Sequence, residues 1–327
     1  MRLIYVVCIA GLASACAVAE AGKEAVAVDM RNVNMHVSDD ITLHITRLKG
    51  RFVAVGRASP FLDNKRSYTV EVDAGEIALD LASLNQVMAR SMAGDKSNVR
   101  KLRVWFNPDG TLGQSGVIDS KINVPFRSKA VVSVTGDGRI RVSTTSVSSK
   151  GVPLTPVMKV LGLHMDSLVK MAPGTGVVAE GNDVVLDPSQ LLPAPAVRGR
   201  VTAVRIANNR LVQTFGPADA PPAPPGLSPN HIYWKNGELA FGKLTMTETD
   251  LELVDADPAD PFDFSIDHWD EQLVAGYSKT LPNRGLRAHL PDYDDLRARR
   301  TGTTAASASG GTTSSSGGTG NGSGQSR

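Results

Sequence analysis

The feature that most constrains this fold is the alternation of apolar and polar residues between Val33 and Phe215. A period of two places every second side chain on one face of an extended chain, which predicts half-buried β-strands. Turn sequences such as Thr135-Gly136-Asp137-Gly138 separate these segments and predict hairpins. We therefore expect a mainly antiparallel, strongly curved sheet with strands at 41–45, 68–72, 102–106, 115–118, 130–134, 140–143, 183–186, 201–206 and 211–215.

Two segments depart from the alternation and carry apolar residues at helical spacing instead. The first ends before Gly94, and the second runs from 154 to 171 and ends before Pro173. The apolar stripe of the second is wide, as in a helix that is buried against a sheet. The first stripe is Leu81, Leu84, Met88 and Met92; the second is Leu154, Val157, Met158, Leu161, Met165, Leu168 and Val169.

The first 19 residues have the pattern of a secretory signal peptide. Basic Arg2 precedes a short apolar run, and Ala17-Val18-Ala19 fits a cleavage site. This predicts an exported protein of the periplasm or cell envelope. Two alternatives stay open: Ala13-Ser14-Ala15-Cys16 loosely resembles a bacterial lipobox, which would anchor the protein by a lipid at Cys16, or the segment is the first buried helix of the fold.

Both cysteines, Cys8 and Cys16, lie in this leader. The mature chain therefore has no thiol for a disulfide, a metal site or a nucleophile. Beyond the leader, no segment approaches the roughly 20 apolar residues that a membrane-spanning helix requires.

Charge and composition divide the rest of the chain. Residues 20–216 contain 25 Lys and Arg against 18 Asp and Glu, a net charge of +7, whereas residues 217–300 contain 8 against 15, a net charge of −7. The basic excess lacks interleaved aromatic residues, so we predict no nucleic-acid partner. We expect a β-rich domain at 33–216, a proline-rich linker at 217–229, a small acidic β-rich unit at 230–296 that folds alone or docks loosely, and a disordered Gly/Ser/Thr-rich tail at 297–327.

The order of these elements resembles the LmeA-like phospholipid-binding family of the tubular lipid-binding (TULIP) superfamily over residues 33–215. Ala78-Leu79-Asp80-Leu81-Ala82-Ser83-Leu84-Asn85 is similar to the strand-to-helix junction of that family. The run 144–153 is similar to the strand before its second helix, and the run 176–186 to its closing hairpin. The resemblance implies an α+β fold in which a highly curved sheet wraps around an apolar helix, with an interior that accepts acyl chains.

Motifs for catalysis and for metal binding are weak in this sequence. There is no G-x-S-x-G nucleophile elbow and no Gly-rich phosphate loop before a helix. The acidic run 255–263 would suit Ca²⁺, but an EF-hand count from Asp255 places Asp260 where glycine is required and Ile266 where glutamate is required. We predict no catalytic residue, no metal and no cofactor.

The sequence therefore predicts a non-enzymatic envelope protein that binds the acyl chains of a phospholipid or similar amphiphile and contacts a membrane peripherally. Methionine adapts to irregular apolar partners, which suits such a site. One alternative is a structural or scaffolding protein with a filled core and no ligand. A third is a hydrolase that uses the C-terminal carboxylates and His268. The expected lining is Leu154, Val157, Met158, Leu161, Met165, Leu168, Met88 and Met92.

Overall fold

The computed structural model describes residues 25–56, 59–92, 98–119, 123–153, 174–217, 222, 224–283 and 285–300. The protein is mostly β, with a curled antiparallel sheet that forms half a barrel. The predicted β-rich, antiparallel and curved character is therefore confirmed. The leader, the helix expected at 154–171 and residues 301–327 lie outside the described residues, so a sheet wrapped around an apolar helix stays a prediction.

The strands are β1 (Val26–Ser38), β2 (Ile41–Ala54), β3 (Tyr68–Asp80), β4 (Val99–Phe106), β5 (Leu112–Ile118), β6 (Val124–Val134), β7 (Ile140–Ser149), β8 (Val152–Pro153), β9 (Val177–Glu180), β10 (Asp183–Leu186), β11 (Ala196–Arg198), β12 (Val201–Ala207), β13 (Arg210–Phe215), β14 (His231–Lys235), β15 (Leu239–Phe241), β16 (Leu244–Met246), β17 (Asp250–Asp255), β18 (Phe262–Ser265), β19 (Tyr277–Thr280) and β20 (Leu286–Leu290). The helices are α1 (Leu81–Ser91), α2 (Pro188–Leu191) and α3 (Trp269–Ala275). Residues 293–300 are also helical, so the tail predicted from 297 begins too early.

The larger sheet runs in the order β12-β13-β3-β2-β1-β14-β17-β20-β19, with β11 and β18 paired in parallel to β3 and β1. In β2, Leu43, Ile45 and Leu48 are buried, because a bulge between Ile45 and Arg47 shifts the alternation by one residue. A Cβ at Gly50 would lie 2.0 Å from the Glu71 carbonyl oxygen. The glycine therefore permits the close strand contact of a tightly coiled sheet.

The smaller sheet runs in the order β4-β5-β6-β7-β10-β9, with β8 beside β7. Most of its strands pair with their neighbours in the sequence, as the turn signals predicted. At the tip of the β6–β7 hairpin, Gly138 accepts a hydrogen bond from Val201 N–H of β12 (3.1 Å). Buried apolar residues of both sheets join in one core.

Strand β1 is shared between the N-terminal and C-terminal parts of the chain. Its 27–31 half pairs with β14, and its 33–36 half pairs with β18. At the change of partner, Asn32 donates a hydrogen bond from its side chain to Asn230 Oδ1 (2.8 Å). The acidic segment is therefore part of the larger sheet, which corrects the expected unit that folds alone or docks loosely.

The proline-rich linker is also attached to this sheet. Lys49 Nζ donates to the Pro222 carbonyl oxygen (2.8 Å), and the Ser228 N–H donates to Glu252 Oε1 (2.9 Å). Arg287 donates to the Gly226 carbonyl oxygen (3.0 Å). Proline lacks an N–H group but keeps its carbonyl acceptor, so a proline-rich segment can be fixed in this way.

Candidate functional site

An apolar cavity of about 60 Å³ lies between α1 and the inner face of the smaller sheet. Met88 and Met92 line it from the C-terminal end of α1, and six strands supply the rest of the lining. Eleven of the fourteen lining residues are apolar, so the cavity suits hydrocarbon rather than a polar ligand. The lining residues are Met88, Met92, Val99, Leu102, Val104, Leu112, Gln114, Phe126, Ser128, Val142, Thr144, Ala179, Val184 and Leu186.

The strand residues of this lining follow from the alternation of the sequence. Side chains two residues apart lie on the same face of a strand. Leu112 and Gln114 therefore line the cavity together, as do Phe126 and Ser128. Arg127, between the last two, is exposed on the opposite face.

Helix α1 is held in place by polar side chains at its first turn. Asp80 accepts a hydrogen bond from the Ser83 N–H (2.7 Å), which is a standard N-cap. Asn85 donates to the Val104 carbonyl oxygen (3.0 Å) and accepts from the Val104 N–H (2.9 Å). The Asn85 amide thus pairs with β4 as a neighbouring strand would, and it fixes the distance between α1 and the smaller sheet.

Of the eight lining residues predicted from the sequence, the structure places Met88 and Met92 at this cavity. The other six, Leu154, Val157, Met158, Leu161, Met165 and Leu168, lie outside the described residues. Sequence reasoning did not name the strand residues of the lining. The period-two pattern from Leu102 to Leu186 was the signal that could have identified them.

A second, open cavity of about 400 Å³ lies where β7 turns into β8. Its lining carries three cationic side chains, and it shares Phe126 with the apolar cavity. We call it the basic pocket. Its residues are Lys101, Ser115, Gly116, Val117, Pro125, Phe126, Arg127, Ser148, Lys150 and Gly151.

A third cavity, of about 20 Å³, lies beside the larger sheet. It has room for about one water molecule. Its lining is rich in aromatic rings: Met35, Phe52, Leu62, Tyr68, Val70, Pro195, Trp234, Phe264, Ile266 and Trp269.

Three carboxylates converge in the C-terminal segment. Oxygens of Asp255, Asp260 and Asp292 lie within 4.8 Å of one another, a geometry that could hold a hard cation. Asp255 is buried, and its two oxygens accept hydrogen bonds from the Asp257 N–H (2.8 Å) and the Asn230 side chain (3.1 Å). The sequence did not predict Asp292 as a member, because it follows Asp260 by 32 positions and Asp255 by 37.

Protonation competes with cation binding in this cluster. Burial raises the pKa of Asp292 to about 7, and the nearby carboxylates of Asp255, Asp260 and Asp263 add to the rise, against a hydrogen bond from the Asp263 N–H. Burial also raises the pKa of Asp255. At neutral pH the cluster therefore shares a proton among like charges that lie close together.

A second polar group joins β1, β2 and β18. His36 Nε2 lies 2.6 Å from Asp263 Oδ1, and His36 Nδ1 lies 3.1 Å from Thr42 Oγ1. The order Thr–His–Asp is that of a nucleophile, a base and an orienting carboxylate. His36 and Asp263 are buried, and among the described residues neither lines any of the three cavities. With an oxygen of Asp294 within 4.8 Å, they are also candidate metal ligands.

The histidine expected in the hydrolase interpretation lies elsewhere. His268 Nδ1 is 3.1 Å from Glu271 Oε1, and its ring stacks on Tyr293. None of the three cavities is lined by Asp, Glu or His. The cavities therefore give the hydrolase interpretation no support.

Comparison with models of protein families, with curated proteins and with solved structures finds no match to this chain. In the part of the chain that the structure describes, no helix has the length and apolar character needed to cross a membrane.

Proposed function

We propose that this protein binds an amphiphile of the cell envelope and holds its acyl part against the inner face of the smaller sheet. The observation that carries the proposal is the cavity between α1 and this sheet, with its largely apolar lining. Burial of hydrocarbon against such a lining is favourable by roughly 25 cal/mol per Å² of apolar surface. Envelope location is part of the proposal and rests on the leader at residues 1–19.

The cavity volume sets a condition on this function. Pockets for small molecules have volumes of roughly 300–1,000 Å³, whereas this cavity has about 60 Å³. An acyl chain therefore requires the walls to move apart. Met88 and Met92 make that movement inexpensive, because methionine is unbranched and can change rotamer without loss of apolar contact.

The resemblance to the TULIP superfamily agrees with this proposal. It implies an acyl-binding interior, and six of the eight residues that it led us to expect lie within 154–168, outside the described residues. Like Met88 and Met92, these six are apolar residues at helical spacing. We propose that they contribute to the same binding site.

Filling the cavity tests the proposal. Ala179 lines the cavity from β9, so Ala179→Phe should occupy the space that a ligand needs. Val178 is the next residue on the same strand and is 48 % exposed, so Val178→Phe is a matched control of similar bulk on the opposite face. We expect Ala179→Phe to lose binding of a fluorescent fatty-acid probe and to keep its melting temperature, and Val178→Phe to keep both.

Native mass spectrometry of the purified wild-type protein is the second readout, because it detects an amphiphile that co-purifies. Absence of bound amphiphile together with no binding of the probe would contradict the proposal. It would favour a structural protein with a filled core. The small volume of the cavity supports this structural alternative.

A further inference from the structure

The outer face of the smaller sheet, opposite the apolar cavity, carries a row of aligned polar side chains. Paired residues of neighbouring strands share a face of the sheet. The row crosses β4, β5, β6 and β7 and consists of Arg103, Ser115, Arg127 and Ser148. Phe126, one residue before Arg127, points to the other face and lines the apolar cavity. The basic pocket contains three members of the row and therefore opens on the outer face.

Four cations of this sheet have no carboxylate partner in the part of the chain that the structure describes. Between residues 99 and 186, every described carboxylate is paired with another base: Asp109 with Lys129 (2.5 Å), Asp119 with Arg100 (3.6 Å), Asp137 with Arg139 (2.7 Å), and both Asp183 (2.7 Å) and Glu180 (3.5 Å) with Arg141. The exposed cations that remain are Lys101, Arg103, Arg127 and Lys150. Like charges gathered on one surface raise the local concentration of anions.

A bulge in β4 directs Lys101 to this face. Lys101 and Leu102 together oppose a single residue of β5, Gly116, so β4 has one extra residue here. Lys101 has φ 53°, and its side chain lines the basic pocket, whereas Leu102 lines the apolar cavity. The bulge therefore brings a cation beside the row without removing an apolar residue from the core.

Lys150 lies in a tight hairpin turn at the other side of the pocket. Ser149 pairs with Val152, so Lys150 and Gly151 form a two-residue loop between β7 and β8. Their φ values, 48° and 83°, are both positive, as a type I′ turn requires. The sheet therefore holds the backbone of Lys150 on both sides.

Arg127 is placed by an aromatic ring. Its guanidinium carbon lies 5.5 Å from the centre of the Trp105 ring, within the range of a cation–π contact. A Cβ at Gly113 would lie 2.1 Å from that ring, so the indole can lie across β5 only because residue 113 is glycine. Trp105 Nε1 also donates a hydrogen bond to Asn107 Oδ1 (3.0 Å), which fixes the ring under Arg127.

The spacing of the cations favours an extended ligand over a single small anion. Neighbouring strands lie about 4.8 Å apart, so Arg103 and Arg127, which are two strands apart, are separated by about 10 Å. One phosphate cannot contact both side chains, whereas successive phosphates of a chain can. Arginine, lysine and serine side chains donate the hydrogen bonds that phosphate oxygens accept.

Two other kinds of anionic polymer fit this face less well. An acidic peptide gains its main-chain hydrogen bonds by adding to the edge of a sheet, whereas the row lies on a face whose strands are already paired on both sides at β5 and β6. A single-stranded nucleic acid needs several aromatic rings on which its bases stack. Trp105 is the one aromatic residue that the registers of β4 to β7 place on the outer face, and Arg127 lies over its ring.

We infer that the outer face of the smaller sheet binds an extended phosphate polymer that carries no bases. Lys101, Arg127 and Lys150 contact it at the basic pocket, and Arg103 extends the contact along the row. This inference does not rest on the proposed function, which concerns the opposite face of the sheet.

The test is a titration of the full chain with long-chain inorganic polyphosphate at a series of salt concentrations. Each cation that pairs with a phosphate of a single-stranded chain contributes about 0.7 to the slope of log affinity against log salt, so four cations should give a slope of about −3. The variant Lys101→Gln/Arg103→Gln/Arg127→Gln/Lys150→Gln should lose binding, with circular dichroism to confirm that it is folded.

The matched control is Arg66→Gln/Arg198→Gln/Lys235→Gln/Lys243→Gln. It has the same change of charge at exposed residues outside the smaller sheet, and it should keep the salt slope of the wild type. Equal losses in the two variants would mean that polyphosphate is attracted by net charge alone, which would overturn the inference. Orthophosphate that binds as tightly as the polymer would overturn the extended site in favour of a pocket for one small anion.

The ligand class is tested with polyglutamate and with a single-stranded oligonucleotide. Binding of either as tight as that of polyphosphate would overturn the choice of a phosphate polymer without bases. If the fourfold variant does not fold, Lys101→Gln/Lys150→Gln, which changes only an exposed bulge and an exposed turn, should still reduce the slope by about 1.4. An unchanged slope in this double variant would overturn the inference.

Discussion

The cavity beside the larger sheet and the cavity beside the smaller sheet differ in the side chains that surround them. The first is about 20 Å³ and is lined by five aromatic residues: Phe52, Tyr68, Trp234, Phe264 and Trp269. The second is about 60 Å³, and its described lining consists of eight aliphatic residues, two methionines, three polar residues and one aromatic residue, Phe126. Aromatic rings therefore fill the core beside the larger sheet, whereas the side-chain packing beside the smaller sheet is adjustable.

Ring geometry explains why the larger-sheet region is rigid. Phe52 stacks on Tyr68 with ring centres 4.7 Å apart and meets Trp234 edge-on at 5.7 Å. Such contacts are directional, so a ring cannot move without the loss of its partners. Met88 and Met92 have no comparable constraint, since a thioether chain can adopt several rotamers at similar energy. Binding is therefore expected where the packing is adjustable.

The largest effect should come from removal of a ring in the rigid region. Trp234 is 1 % exposed, and Trp234→Ala should lower the free energy of unfolding by about 3–5 kcal/mol. Met88→Ala should cost about 2 kcal/mol, at the lower end for methionine, because the space around it is already incompletely filled. Urea unfolding followed by circular dichroism measures both.

Trp234→Phe is the control for the ring itself. Trp234 Nε1 is buried without a hydrogen-bond partner in the structure, so loss of this donor removes no bond. We expect Trp234→Phe to cost less than half as much as Trp234→Ala. Equal losses for Trp234→Ala and Met88→Ala would remove the distinction between the two regions.

An alanine-to-phenylalanine substitution, made once in each region, should also distinguish the two regions, with a smaller difference in stability. Ala288 is fully buried in β20, and Ala288→Phe should destabilise the protein by about 1–3 kcal/mol, because a close-packed core rejects added volume. Ala179→Phe, at the cavity of the smaller sheet, should change stability by less than about 0.5 kcal/mol. Differential scanning calorimetry of the pair is the measurement, and a comparable fall in melting temperature for both would contradict an adjustable site.

Local patterns predicted the parts of the fold that depend on neighbours in the sequence. The alternation gave β2, β3 and the hairpins of the smaller sheet, and the helical spacing of Leu81, Leu84 and Met88 gave α1. Strand β1 starts at Val26, although the predicted domain began at Val33. Val28 and Met30 do alternate with the polar residues Asp29 and Arg31, so this signal was present and was not used.

Pairing between distant segments could not be predicted in this way. A period of two says which face of β1 is buried, but not that β14 and β18 share its free edge. The basic pocket was missed for the same reason, since its cations come from a bulge, a strand and a turn that are distant in the sequence. Met88 and Met92 of the predicted lining do lie at the cavity, because helical spacing identifies the buried face of α1, and the other six residues lie outside the described residues.

A dependence of stability on pH should arise from the buried carboxylates of the larger-sheet region. The described residues that line the smaller-sheet cavity include no ionisable side chain, whereas the folded pKa of Asp292 is about 7, far above the ordinary value of 3.8. Between these values the folded protein keeps a proton that the unfolded chain releases, so stability should fall as pH rises from 4 to 7. Asp292→Asn keeps the acceptor for the Asp263 N–H and cannot ionise. We expect the variant to flatten this part of the curve of melting temperature against pH and to be more stable than the wild type above pH 7.

The measurement is made first with a chelator and then with Ca²⁺. A calcium-induced rise in the wild type that Asp292→Asn loses would instead identify the three carboxylates as a cation site, and an unchanged pH curve in chelator would mean that Asp292 titrates as an ordinary exposed carboxylate.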